Sequence, residues 1–97
     1  MAATTTKPYV LRLYVTDASP KSARAIVNTR RLLEEHLRES YELEILNIAE
    51  HVALATADQI VCVPTLLRLA PGPVRRIIGD MSDAARVLKG LDVPVPR

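Results

Sequence analysis

The chain contains neither phenylalanine nor tryptophan, and its only aromatic residues are three tyrosines, 3% of 97 positions. With 48% of positions apolar, the core has to be assembled from leucine, valine, isoleucine and alanine. So few rings also remove the platform on which single-stranded nucleic acid stacks its bases. Cysteine is nearly absent: Cys62 stands alone, which excludes an internal disulfide and every Cys-x-x-Cys metal or redox pair. His36 and His51 have no second ligand at metal-binding spacing, so both read as surface or boundary residues and no metal is expected. Charge of one sign is missing too. The 13 basic and 11 acidic residues interleave and leave a formal charge of +2, unlike the one-signed surface of a dedicated nucleic-acid binder. No run approaches the about 18 consecutive apolar residues of a membrane span. The opening MAATTTKP is short and polar, without the pattern of a signal peptide. These absences predict a cytoplasmic chain with no cofactor, no nucleic-acid partner and no membrane.

The length suits one modest core and is too short for two. One domain is expected over 8–92, between a disordered N-terminal tail (1–7) and a C-terminal tail (93–97). Tyr9 to Val15 is short, apolar and β-branched with a single charge, as in a central strand covered on both faces. Ser19 followed by Pro20 is an N-cap and first-turn pair, and the helix it opens is predicted to run to about Glu39. Ile26, Thr29, Leu33 and Leu37 form its packed stripe. Tyr41 to Ile48 alternates loosely, which suits a strand nearer the sheet edge, and strand, helix and strand of this length imply a right-handed parallel crossover. Ala49 to Gln59 is Ala-rich and predicts a short helix. Thr65 to Leu69 and Val74 to Ile78 read as a hairpin joined through Ala70-Pro71-Gly72-Pro73. Ser82 is the expected cap of a last helix that stops at Gly90. The order β-α-β-α-β-β-α is the thioredoxin arrangement, an α/β fold with a four-stranded mixed sheet.

In thioredoxins the redox cysteines stand where the first strand turns into the first helix, because the helix N-terminus lowers a thiol pKa. Here that turn reads Asp17-Ala18-Ser19-Pro20, so dithiol chemistry has no reagent. Cys62, between Val61 and Val63, is expected to be buried and inert. Pro64 occupies the place of the cis-proline of such folds, and the sequence leaves cis or trans open. Arg75 and Arg76 are neighbours on a strand and must face opposite sides of the sheet.

Tyr9 to Val15, Ser19 to Ala25, Val63 to Leu66, Pro73 to Asp83 and Val87 to Asp92 together resemble the KaiB family of circadian-clock regulators. The resemblance runs from about Tyr9 to Asp92 and is most specific over Val74 to Asp83. It implies a non-enzymatic protein that binds the N-terminal ATPase ring of a KaiC-type ATPase, with KaiA and sensor histidine kinases as further partners. It also implies two folds: a monomeric thioredoxin-like state that binds KaiC, and a tetrameric ground state of βαββααβ order. Arg24, Arg75 and Arg76 match family residues implicated in partner binding. Pro64, Gly90 and Asp92 fall at positions tied to the balance between folds. Departures mark a divergent relative: Asp17-Ala18-Ser19 replaces a glycine-asparagine pair, Glu44 replaces a lysine, and Pro94 and Pro96 interrupt the strand that the ground state would need after Val87. The thioredoxin-like state is therefore expected at rest. Two alternatives remain beside the adaptor: a thioredoxin-like thiol-handling enzyme, and a SasA-like sensor domain that binds the same partner.

With a single thiol, the purified protein should show no disulfide-reductase turnover, because the reaction needs a dithiol pair. An insulin-reduction assay on the wild type checks this, and measurable turnover would contradict it.

Overall fold

Leu11 and Leu13 are fully buried, and so is Tyr14 next to them in the same strand. One strand therefore has to be covered on both of its faces, as the apolar run predicted. In the computed structural model, which describes residues 8–17 and 19–93, this is β1 (Tyr9–Val15). It pairs in parallel with β2 (Tyr41–Asn47) and antiparallel with β3 (Thr65–Ala70), and β3 pairs antiparallel with β4 (Arg75–Ile78). The sheet order is β2-β1-β3-β4, so β2 is an edge strand as expected. Helices α1 (Pro20–Leu37) and α3 (Ala84–Leu91) cover one face, with Leu11, Leu13, Val15, Leu66 and Ile77 beneath them. The short α2 (Val52–Ala57) covers part of the other face, over Tyr14, Leu46 and Leu67. The expected tails at 1–7 and 94–97 lie outside the described residues. Val93, assigned to the tail from sequence, is buried in the main core.

Local chemistry explains most boundaries. The Ser19 hydroxyl accepts the Ser22 N–H at 3.1 Å and Pro20 opens the helix, satisfying a donor that the first turn leaves free. The buried stripe of α1 is Ser22, Ala25, Thr29, Leu32, Leu33 and Leu37, and the helix ends at Leu37, two residues before the expected Glu39, which adopts φ 55°. After β2, the Asn47 side chain accepts the Ala49 N–H and starts a 3-10 turn over Ile48–Glu50. The peptide bonds before Pro64, Pro71 and Pro73 are cis, which closes the question left open at Pro64.

Three expectations are corrected. Cys62 is exposed, not buried, because Ile60 to Val63 is no strand. The Ile60 N–H returns to the Ala55 carbonyl, Ile60 and Val63 pack against the second core, and Val61, 84% exposed, and Cys62 between them are left to solvent. Ser82 does not cap α3. Asp83 does, accepting the Arg86 N–H at 3.1 Å, while the Ser82 N–H is drawn to Asp80. Gly90 does not stop α3 either, since it lies inside the last turn. Asp92 takes the left-handed position instead, at φ 57°, with the Asp92 and Val93 N–H groups bonded to the Lys89 and Leu88 carbonyls. What Gly90 permits is close approach, because the Ile77 side chain occupies the place of a Cβ.

The clash would fall on Ile77 Cδ1, the far end of a side chain that can rotate. Gly90→Ala adds about 1 kcal/mol of helix propensity, which displacement of Ile77 offsets. In an Ile77→Val background the same change should be more stabilising by about 1 kcal/mol. Urea denaturation of the four proteins measures this coupling, and additive effects would contradict it.

Candidate functional site

The turn from β1 into α1, where a thiol enzyme of this fold keeps its nucleophile, borders an open hollow of about 450 Å³ lined by Val15, Thr16, Asp17, Ser19, Pro20 and Ile26. Two serine hydroxyls at this turn are engaged by the backbone. Ser19 accepts the Ser22 N–H, and the buried Ser22 hydroxyl accepts the Thr16 N–H at 3.1 Å. Among the described residues no thiol stands here; Cys62 belongs to the loop before Pro64, where its carbonyl accepts the Thr65 hydroxyl at 2.6 Å. The chemistry of the site is that of a folded helix cap.

The three arginines singled out from sequence are divided by the sheet. Arg24, on α1, pairs through Nε with Asp80 Oδ2 at 3.2 Å, and Asn28 Nδ2 on the next turn donates to the Asp80 carbonyl at 2.9 Å. Arg86 of α3 donates to the Ile78 carbonyl at 3.1 Å. The segment from Gly79 to Ser82 is thus held between α1 and α3, and its first residue has φ 127°, open only to glycine. Hydrogen bonds from the Ser82 hydroxyl and N–H hold the Asp80 carboxyl below the usual carboxylate range; slight desolvation opposes them and Arg24 adds to them.

Arg75 is exposed on the α1/α3 side of the sheet, cross-strand from Arg68, and makes no side-chain hydrogen bond or ion pair among the described residues. Arg76 lies on the opposite side, as neighbouring strand residues must. Its guanidinium donates to the Asp58 and Gln59 carbonyls, both at 3.0 Å, and so braces the end of α2. Arg24 and Arg75 therefore share a face and Arg76 does not. Of the other sequence-marked positions, Pro64 is buried at the start of β3, while Gly90 and Asp92 lie together at the end of α3.

Two charged residues inside apolar strands were passed over by sequence reasoning. Arg12 in β1 donates to Asp58 Oδ2 at 2.8 Å and to Glu44 Oε1 at 3.0 Å, and the same Asp58 oxygen accepts the Tyr14 hydroxyl at 2.6 Å. Burial acts to raise the Asp58 pKa, but the Tyr14 and Arg12 hydrogen bonds and the Arg12 charge outweigh it and lower the value. Burial, reinforced by Asp58, pushes the Tyr14 phenol up to about 12. Arg68 in β3 is 3% exposed and bonded only to carbonyls. A lone charge in an otherwise apolar strand was the available signal at both positions.

A family model described as the KaiB domain matches residues 12–93. The circadian clock oscillator protein KaiB of Prochlorococcus marinus (strain MIT 9313) is 47% identical over 87 residues, 90% of this chain and 73% of that protein. The chain belongs to the KaiB family. A second KaiB, from Parasynechococcus marenigrum (strain WH8102), is 46% identical over 90% of this chain and 84% of its own length. Among solved structures, the N-terminal domain of Synechococcus elongatus SasA superposes with TM-score 0.71 at 21% identity, covering 94% of this chain and 89% of that one. Mitochondrial thioredoxin 3 of Saccharomyces cerevisiae superposes with TM-score 0.72 at 12% identity over 90% and 79%. The fold of this KaiB-family chain is thioredoxin-like, as expected from its element order. Likeness to thioredoxins at such identities is a likeness of fold and carries no catalysis with it. Among the described residues no helix is long and apolar enough to cross a membrane.

The shifted groups fix the pH response. Asp58 and Asp80 have lowered folded pKa values, so the stability they add is complete above the ordinary 3.8 and is lost as pH falls through the lowered values. Tyr14 is raised, so its share is complete below 10 and is lost as pH climbs toward about 12. Asp58→Asn should cost about 1–3 kcal/mol at neutral pH. It should also flatten the acid limb of the stability profile and bring phenolate absorbance of Tyr14 in at lower pH. An unchanged acid limb would contradict the role given to Asp58.

Proposed function

We propose that this protein is a non-enzymatic adaptor that binds the N-terminal ATPase ring of a KaiC-type ATPase and thereby modulates clock or stress signalling in the cytoplasm. The observation that carries the reading is the KaiB-domain match over 12–93, with circadian clock oscillator proteins as its relatives. The docking face is the α1/α3 side of the sheet. Arg24 and Arg75 offer positive charge there, and Arg75 has no internal partner to surrender. Arg76, engaged with the end of α2, serves the fold first and the partner second. KaiA and sensor histidine kinases are further partners of the same complex. The chain acts as a monomer in this thioredoxin-like state. Pro64 at the start of β3, with Gly90 and Asp92 at the end of α3, occupies the joints where an alternative βαββααβ packing would diverge, in which the protein would be a homo-oligomer. Superposition on the SasA N-terminal domain favours a second reading, a constitutive sensor-type domain for the same partner that keeps one fold throughout. The thiol-handling reading lacks a thiol at the start of α1, where Asp17-Ala18-Ser19-Pro20 stands.

Co-elution with a KaiC-type hexamer and ATP on gel filtration tests the reading. Arg75→Glu and Arg24→Glu should each weaken binding by roughly tenfold or more with little change in stability, since both charges are exposed. Arg76→Glu should chiefly lower stability, by about 1–2 kcal/mol, through its two lost carbonyl contacts. No co-elution of the wild type, or full affinity in Arg75→Glu, would sink the assignment.

A further inference from the structure

A cation buried without a carboxylate needs another reason to be there. Arg68 is such a residue: 3% exposed on β3, on the α1/α3 side, with no ion pair among the described residues. Its Nη1 donates to the Leu91 carbonyl at 2.8 Å and, at 3.4 Å, to the Asp92 carbonyl; its Nη2 donates to the Pro73 carbonyl at 3.2 Å, and its Nε has no partner. These acceptors lie in two separate segments, the C-terminal end of α3 and the connection between β3 and β4.

Each acceptor is one the backbone leaves over. The helix cap already uses the Leu88 and Lys89 carbonyls, through the Val93 and Asp92 N–H groups, so the carbonyls of Leu91 and Asp92 remain free at the negative end of the helix. The Ala70–Pro73 connection contains two prolines with no N–H to offer one another. One planar fork satisfies both segments, and an ammonium group, a single point of charge, cannot span them in the same way. Arg75 follows Pro73 by two residues and is the cross-strand partner of Arg68, so the fork also fixes the stretch that carries Arg75. Two like charges opposite each other on one face repel, which favours an Arg75 side chain turned to solvent.

We propose that Arg68 is the positioning residue of the docking face: it ties the end of α3 and the β3–β4 connection to β3, and so sets where α3 and Arg75 stand for an acidic partner. The inference rests on the docking face proposed above, but its structural half concerns the free protein and is read separately. Arg68→Lys keeps the charge and loses the fork. Arg68→Met removes the charge with little change of volume, and replacing a buried charge by an apolar residue commonly leaves a protein folded.

Amide hydrogen exchange by NMR on the full chain, together with affinity for a KaiC-type ring, tests the proposal. In both variants the amides of 87–93 and 74–75 should exchange roughly tenfold faster relative to those of Leu11 and Leu13, as a local opening and not a global one. Ring affinity should fall by a similar factor under conditions where each variant is fully folded. A uniform rise in exchange, wild-type behaviour of Arg68→Lys, or undiminished ring affinity in either variant would overturn the proposal. Patterned exchange with no ring binding by the wild type would count against the partner, not against the tether.

Discussion

The structure depends on covering both faces of β1 with a side-chain set that has neither phenylalanine nor tryptophan to spend. Leu11 and Leu13 on one face and Tyr14 on the other reach zero exposure only if helices close over both sides. Aliphatic side chains fill space in small increments, so the layers have to come close. Gly90 against Ile77 and Ala25 at full burial show how close. On the α2 side cover is thinner, since α2 has six residues and leaves Val10, Glu42 and Glu44 around an open hollow of about 410 Å³. There the single buried ring, Tyr14, needs a partner for its hydroxyl, and Asp58 at the C-terminal boundary of α2 supplies it.

Arg12 and Arg68 show two ways of holding a cation in a strand. Arg12 is compensated by two carboxylates, and its contacts join β1, β2 and the end of α2. The pairing is partly exposed and its worth is moderate, but removing Asp58 would leave the Tyr14 phenol without its acceptor and the Arg12 guanidinium with Glu44 alone. Arg68 has only carbonyl dipoles, so its charge is less well repaid and its value lies in geometry. The first residue adds to the stability of the sheet. The second joins the end of the last helix to the β3–β4 connection.

The parts of the fold set by local pattern were legible in the sequence. The run Tyr9–Val15, the Ser19-Pro20 cap and the stripe of α1 gave the right elements because hydrophobic period and capping chemistry agreed there. Opposite facing of Arg75 and Arg76 followed from strand geometry alone. Errors arose where several residues competed for one role. Ser82, Asp80 and Asp83 stand within four positions, and only three dimensions show that Asp80 claims the Ser82 N–H and leaves Asp83 to cap α3. Gly90 looked like a stop, yet its lack of a Cβ was spent on contact with β4 while Asp92 accepted the left-handed turn. The apolar run Ile60–Val63 suggested burial of Cys62, yet it forms a loop that leaves Val61 and Cys62 exposed. The partners of Arg68 were hidden for a different reason: they are main-chain carbonyls, which every sequence has.

The last helix, which carries one side of the proposed docking face, cannot stand alone. An eight-residue helix is well below the roughly 12–15 residues at which isolated helices become marginally stable in water, so α3 owes its helicity to tertiary contacts. Those contacts are few and identifiable: Val87, Leu88 and Leu91 buried against the sheet, Gly90 over Ile77, and the Arg68 fork at its end. Two segments tied through one side chain tend to loosen together, so opening of α3 also frees the connection that leads into Arg75. A partner that docks on this face and engages both segments binds only the closed arrangement, and its differential affinity draws the population toward that arrangement. On the docking face proposed above, a helix held by tertiary contacts would respond to whatever binds there.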